Sequence, residues 1–502
     1  MIPMTMDHDL MVTPLLTWRD ARYRRANATL PGILSGMASG ALADFPHARA
    51  HQFHPWSMFL TQLAVLALHH ADHRDPRLNE GDWRELLLAL TGGAHEPWCI
   101  VVDDLAKPAF MQPPVPEASI ANWQVHEHPD DLDILVTAKN HDVKQSVIDA
   151  NDIEAWILAL ATLQTMQGYP GRGYHGISRM KGGYGSRPRV GTSADRTVSS
   201  RFLRDVDVML SMWDSLVDRG FGDNGIGLAW LASWDGADSL PMPVLSPHFI
   251  EICWRVRCVR HREGLAAAYT TTQNRRCLPE VENGDTGDAW IPIERDEGAL
   301  TIGASGFHYA LLTRILFEFE PAAAQALKPG DGDPVHLLAS AMARGQGKTE
   351  GLHERVLLLA GEGRRVLGKT DTRAALGRRA SANVRQAATM RSKVLYPALK
   401  QIALGDSIVS TDFEGRVNDL FFDHLFSTLA IPDDAAALSW DAVLRDLAVE
   451  ALQQAISRCC VPSSRWYRAV SGAEGFFYGC LRKHFPTLVA TNTANLVQGG
   501  TA

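Results

Sequence analysis

No stretch of this sequence is apolar and long enough to cross a bilayer. The most apolar early run, Met58 to Leu68, is interrupted by Thr61 and Gln62. Cysteine is scarce, with seven in 502 residues, and the odd count does not read as a disulfide framework. Met1 to Val12 carries Asp7 and Asp9 and no basic residue before an apolar core, which is not a secretory pattern. A cytoplasmic chain without a membrane partner is therefore expected. There is no G-x-S-x-G elbow, no H-E-x-x-H, no internal repeat and no low-complexity tract. Basic residues are also in deficit, 49 against 57 acidic ones, for a formal charge of −8. Averaged over the chain, that deficit argues against nucleic acid, because phosphate binding is driven by Lys and Arg.

What is present is an ordinary globular balance, 46% apolar and 21% charged, in a length that suits two to four domains. The expected fold class is α+β, a mixed α/β domain over residues 1–350 followed by a four-helix bundle over 351–502. In the first part, Pro55 opens an apolar helix and Asp82 caps a second, Trp83 to Leu90. Strand-like runs lie at Trp98–Val102, Trp123–His126, Leu132–Val136 and Phe249–Val259. Asn151 or Asp152 caps a helix to about Gln167, and further helices are expected near Ser200–Val217 and Gly306–Phe319. From about Leu352 the periodicity is almost all helical, with helices at Thr372–Ile402, Gly415–Leu429, Asp434–Ser457 and Ser463–His484.

The charge is not evenly spread. Arg172 to Arg204 holds eight basic residues and one acid, and Arg364 to Lys400 holds ten basic residues and one acid. These segments carry +7 and +9, so the other 432 residues carry −24. On a helical wheel of the second segment, Leu376, Val384, Ala387, Val394 and Leu395 share one face. Arg378, Arg379, Arg385, Lys393 and Lys400 share the opposite face, while Arg373 and Arg391 fall on the apolar side. A solvated helix face normally mixes signs, so a nearly acid-free stripe points to phosphate contact. The first segment interleaves seven glycines between Gly171 and Gly191 with Tyr174, His175, Tyr184 and arginines. That composition suits close approach to a nucleic-acid backbone.

Chemistry of other kinds is weakly signalled. Gly363 to Thr370 matches G-x-x-x-x-G-K-[ST], which offers a P-loop nucleotide hydrolase using Lys369 and Thr370 as the alternative function. It lacks a following apolar run ending in a Mg²⁺-binding Asp, and it lies in a helical region. His69, His70, Asp72 and His73 lack distant metal partners. Cys253, Cys258, His261 and Cys277 form a looser zinc candidate without a C-x₂-C knuckle. No metal and no cofactor are expected, and no residue is assigned a catalytic role.

Four segments in chain order resemble the CasA-type large subunit of the type I-E CRISPR surveillance complex, Cascade. They are Lys107-Pro108-Ala109-Phe110-Met111-Gln112, Val136-Thr137-Ala138-Lys139-Asn140-His141-Asp142, the glycine-rich loop from Pro170 to Gly191, and Arg344-Gly345-Gln346-Gly347-Lys348 before the bundle. The resemblance implies a non-catalytic subunit that recognises a short flanking motif, the PAM, in double-stranded DNA, while guide RNA reads sequence by base pairing. The division of labour is like that of another effector class. It also implies sibling Cascade subunits as partners and a helicase-nuclease recruited in trans. Residue by residue, it places the glycine loop at Gly173-Tyr174-His175-Gly176 and the duplex wedge at Gln346 between Gly345 and Gly347. Lys139 and Asn140 fall in the loop near the PAM and the guide end. The family's lysine finger has no counterpart, since no lysine lies between Lys181 and Lys328. Arg275 or Arg276 stands in as the candidate.

Overall fold

The computed structural model describes the chain apart from residues 1–5, 135–150, 170, 184, 263, 329–330, 346–347, 403–406, 459–461 and 489–502. Contacts divide it into two compact units, Met1–Phe307 with Phe319–Leu358, and His308–Glu318 with Leu359–Ala502. No helix among the described residues is long and apolar enough to cross a membrane.

The first unit mixes helices with small sheets. Its centre is the helix Ala50–His70, buried almost all round from His51 to Leu68, as a helix with apolar residues on every face must be. Pro55 lies inside this helix and does not open it. The chain enters the helix five residues earlier, where the Arg49 N–H donates to Gln52 Oε1 at 3.0 Å. The dense packing of this segment overrides the usual cost of an interior proline. The next helix, Glu80–Ala89, is capped by Asn79, with Asp82 at the third helical position completing a capping box. Asp152 caps the helix Ile153–Met166, its carboxylate accepting from the Ala155 N–H.

One antiparallel sheet orders Gln124–His126, Gly264–Thr270 and Arg255–His261, with Tyr269 opposite both Gln124 and Val256. Another orders Lys348–Leu359, Val335–Gly345 and Arg189–Ser193. Three expectations fail here. Lys348–Leu359 is a twelve-residue strand, although the sequence reads as helix from Leu352. Phe249–Val259 is two strands, Leu245–Ile250 and Arg255–His261, broken where Glu251 turns inward to accept from the Ser178 N–H and Arg179. Leu132–Ile134 is a turn after a 3₁₀ helix, not a strand.

The second unit is helical. Thr370–Thr389 continues through a π-helical turn at Met390–Leu395 into Tyr396–Leu399, and is followed by Ser407–Ser427, Asp433–Ser457 and Ser463–His484. The short helix Tyr309–Phe317 also belongs to this unit. Leu376, Ala387, Val394, Phe421, Trp440 and Phe477 are buried in it, Phe421 packing edge-on against Trp440, whose Nε1 donates to the Asn383 carbonyl at 3.0 Å. The apolar and basic faces of the first long helix separate largely as the wheel requires; the departures are half-buried Arg379 and Val384, with Asn383 buried instead, and Arg391 in the π turn, which is exposed and faces Glu414 at 3.7 Å. Arg373 is half-buried and caps the Leu316 carbonyl with Nε and Nη2 at 2.9 and 2.6 Å.

Candidate nucleic-acid interface

The glycine-rich segment is held as a tight double loop in the first unit. The Ile177 N–H donates to the Gln167 carbonyl at 2.9 Å and the Tyr169 N–H to the Gly183 carbonyl at 2.8 Å. Glycine is required where these strands touch. A Cβ on Gly176 would lie 2.5 Å from the Gly168 carbonyl carbon, and one on Gly168 would lie 2.3 Å from the Gly185 oxygen. Gly173 adopts φ 83°, and its carbonyl accepts from the Thr272 N–H at 2.8 Å. Tyr174 and His175 are half-buried at the turn, and Arg172 beside them is exposed.

The same unit brings the end of the strand Val335–Gly345 onto this loop. Arg344 Nη1 donates to Gln167 Oε1 at 2.6 Å, and the Ser186 hydroxyl donates to the Met342 carbonyl at 2.7 Å. Burial lowers the Arg344 pKa to about 10, opposed by the negative charge of Asp133. Asp133 is itself almost fully buried, with His51 Nε2 at 2.7 Å, Gln52 Nε2 at 3.1 Å and Arg49 Nη1 at 3.3 Å. It stands two residues before the segment carrying Lys139 and Asn140. Gly345 is half-buried, and exposed Lys348 is paired with Glu350 at 2.6 Å. Two of the expected site segments are thus joined through Gln167, the glycine loop by the Ile177 N–H and the strand end by Arg344. Lys139, Asn140, Gln346 and Gly347 themselves lie outside the described residues.

The +7 of Arg172 to Arg204 is a different matter. Arg179 is buried against Glu251 at 2.8 Å and Asp288 at 2.9 Å, and Arg187 is buried against Asp288. Arg189 is buried against Asp205 at 2.7 Å, which also accepts from Trp290 Nε1 at 2.8 Å. Lys181 pairs with Glu297, and Arg204 with Asp331. Arg201 has its pKa brought down to about 9, by burial first and by Arg189 next. Only Arg172 and Arg196 of the eight are exposed. Most of this cluster is therefore internal scaffolding and not a phosphate footprint. Its acids come from Asp205 onward, outside any local charge window.

The bundle face fares better. Arg378, Arg385, Lys393 and Lys400 are exposed, and no carboxylate partner is found for them among the described residues. Lys400 Nζ sits 4.6 Å from the Tyr396 ring centroid. Arg379 is diverted. It pairs with Asp433 and donates Nη1 to the Thr428 carbonyl at 2.7 Å and Nη2 to the Ile431 carbonyl at 3.2 Å, pinning an interhelical turn.

Three alternatives lose their geometry. Gly361–Leu367 is α-helix, so the residues expected to cradle phosphate form helical turns instead. The Gly368 N–H goes to the Arg364 carbonyl at 3.1 Å, and Lys369 merely precedes the helix that Thr370 begins. The zinc candidate is not assembled. Cys253, Cys258 and Cys277 are buried thiols, desolvation pushing Cys258 up to about 12 and raising the other two, while His261 faces Glu127 at 3.3 Å. Among the described residues no group of three or more His, Cys, Asp or Glu is placed to hold a metal. Arg276 is buried under three backbone carbonyls, those of Ala232, Ser233 and Asp238, and cannot serve as a finger. Half-buried Arg275 is tied to the Val281 carbonyl at 3.3 Å.

No protein-family model and no curated protein matches the sequence. Solved structures match the fold over nearly the whole chain. The CRISPR-associated protein Cse1 from Acidimicrobium ferrooxidans superposes with a TM-score of 0.65 at 14% identity, covering 96% of this chain and 98% of that one. CasA (Cse1) of Thermus thermophilus gives 0.62 at 13%, covering 95% and 100%. A chain of a CRISPR RNA-guided surveillance complex gives 0.56 at 15%, covering 94% and 99%. The chain has the fold of the Cse1/CasA proteins.

Proposed function

We propose that this chain is the Cse1/CasA-type large subunit of a type I-E Cascade ribonucleoprotein, carrying no catalytic step of its own. Its first unit tests the PAM in double-stranded DNA, Gln346 levers the adjoining base pair, and the bundle face guides DNA phosphates. The helicase-nuclease is recruited in trans. The observation that carries this reading is the end-to-end fold match, together with Arg344 reaching Gln167 at the base of the glycine loop. Two glycines beside Gln346 suit a wedge, since they let backbone approach the duplex. Unstacking a base step costs a few kcal/mol, offset by strand contacts. An acidic remainder of −24 suits a subunit that avoids random DNA until assembled.

The test is assembly followed by strand opening. The chain should copurify with guide RNA and sibling subunits, and Gln346→Ala should slow opening of PAM-bearing target DNA while the complex still assembles. A chain that never enters such a complex, or a Gln346→Ala complex that opens target at the wild-type rate, would sink the corresponding part.

A further inference from the structure

Beside the glycine loop, and including its Tyr174, lies a cluster of aromatic rings whose faces the proposed roles do not use. The His126 ring stacks on Tyr269 at 4.3 Å between centroids and 7° between planes. Tyr269 lies 5.5 Å from Trp254 at 27°. Tyr174 covers Trp254 at 4.6 Å and stands 6.3 Å from Tyr269. The rings are set on rigid supports. Tyr269 occupies a three-stranded sheet between Gln124 and Val256. The Trp254 N–H is held by the buried Gln164 side chain at 2.8 Å. The Tyr269 hydroxyl donates to Gln124 Oε1. Tyr174, Trp254 and His126 each remain partly exposed, and Gln124, Thr271 and Arg172 at the margin are exposed.

We infer that this cluster is a stacking platform for an unpaired base of single-stranded nucleic acid emerging beside the glycine loop. The inference rests on the nucleic-acid reading above and adds to it a ligand chemistry, a base face on fixed rings. Stacking is tolerant of sequence, because every base has a π face. A strand peeled from a duplex at the glycine loop leaves an unstacked base, and an aromatic surface replaces the lost neighbour. Arg172 supplies a cation on the Tyr174 side. Asp131, 3.8 Å from His126, makes the far end unfavourable for phosphate, so the strand's backbone runs along the Arg172 margin. Burial lowers the His126 pKa, opposed by the charge of Asp131.

The test uses the full chain, alone and within the purified complex, with a single-stranded DNA oligonucleotide carrying one 2-aminopurine. Binding should quench the fluorophore, and a strand carrying 5-iodo-deoxyuridine should photocrosslink to Tyr174, Trp254 or His126 in the unaltered protein. Tyr174→Leu should remove the quenching and weaken strand binding roughly ten-fold, the scale of one stacked base, whereas Tyr174→Phe should preserve both. A strand that binds without quenching and crosslinks elsewhere overturns the platform and leaves the functional reading intact. Equal losses in Tyr174→Phe and Tyr174→Leu also overturn it, since the hydroxyl and not the ring face would then matter. A strand bound neither by the chain nor by the complex overturns the platform, whereas a complex that fails to open PAM-bearing duplex removes the functional reading on which it rests.

Discussion

Neutralising the exposed bundle cations tests the interface most directly. Arg378, Arg385, Lys393 and Lys400 are solvent-facing and have no carboxylate partner among the described residues. Each phosphate neutralised by such a group releases a counterion, so the affinity for duplex falls with salt by a slope of about 0.9 per contact. Changing all four to Gln therefore removes roughly 3.6 from the log–log slope. Between about 50 and 200 mM salt, the affinity of the variant then changes roughly a hundred-fold less than that of the wild-type complex. Arg379 supplies the internal control. Its guanidinium is bound to Asp433 and to the Thr428 and Ile431 carbonyls. Arg379→Gln should leave the slope unchanged and lower stability by about 1–2 kcal/mol through the lost hydrogen bonds. Filter binding across a salt series, with denaturant unfolding in parallel, measures both. A quadruple variant with the wild-type slope refutes the footprint, and an Arg379→Gln complex with a reduced slope refutes the assignment of that residue to structure.

Three further outcomes are expected. Asp288→Asn leaves Arg179 and Arg187 buried with no carboxylate on that side, and should cost about 3–5 kcal/mol in unfolding experiments; a cost within error of zero would show the pair to be dispensable. Burial lowers the His54 pKa to about 3, with Arg189 and Arg201 adding to the effect. The unfolded chain takes up that proton below about pH 6.5 and the folded chain does not, so stability falls as pH drops from about 6.5 towards 3. His54→Leu should flatten this decline by about 1.4 kcal/mol per pH unit, and unfolding curves across that range would reveal an unchanged slope if the histidine is not responsible. Gly176→Ala drives a methyl group into the backbone of Gly168 and Tyr169 and should abolish PAM-dependent binding while the helical bundle keeps its circular dichroism. Wild-type binding by this variant would mean that the loop does not depend on its close crossing.

Much of the fold is legible because helices are local objects. Ser463–His484 begins and ends where the sequence predicts, and Asp433–Ser457 differs by one residue. The glycine-rich segment is legible but its reason is not, since Gly176 serves a close crossing with Gly168 that only the folded loop creates. The strand Lys348–Leu359 is not legible, because its hydrogen bonds go to Val335–Gly345 and nothing in its own mixture of charged and aliphatic residues declares that partner. The helix at Gly361–Leu367 is hidden by a motif whose meaning depends on the strand–loop–helix context around it. The aromatic platform escapes notice since His126, Tyr174, Trp254 and Tyr269 are far apart in the chain and meet only through sheet pairing and the loop.

The sequence alone determined the last two helical spans and the fact that a net −8 conceals two basic segments. Tertiary structure decided which of those cations are available. Burial strips water from a guanidinium, and the folded chain compensates by delivering carboxylates from wherever they lie, Asp205, Glu251 and Asp288 among them. Two segments of similar charge density thus acquire opposite roles. One is largely consumed inside the first unit, and the other leaves Arg378, Arg385, Lys393 and Lys400 in solvent on the exposed side of its helix.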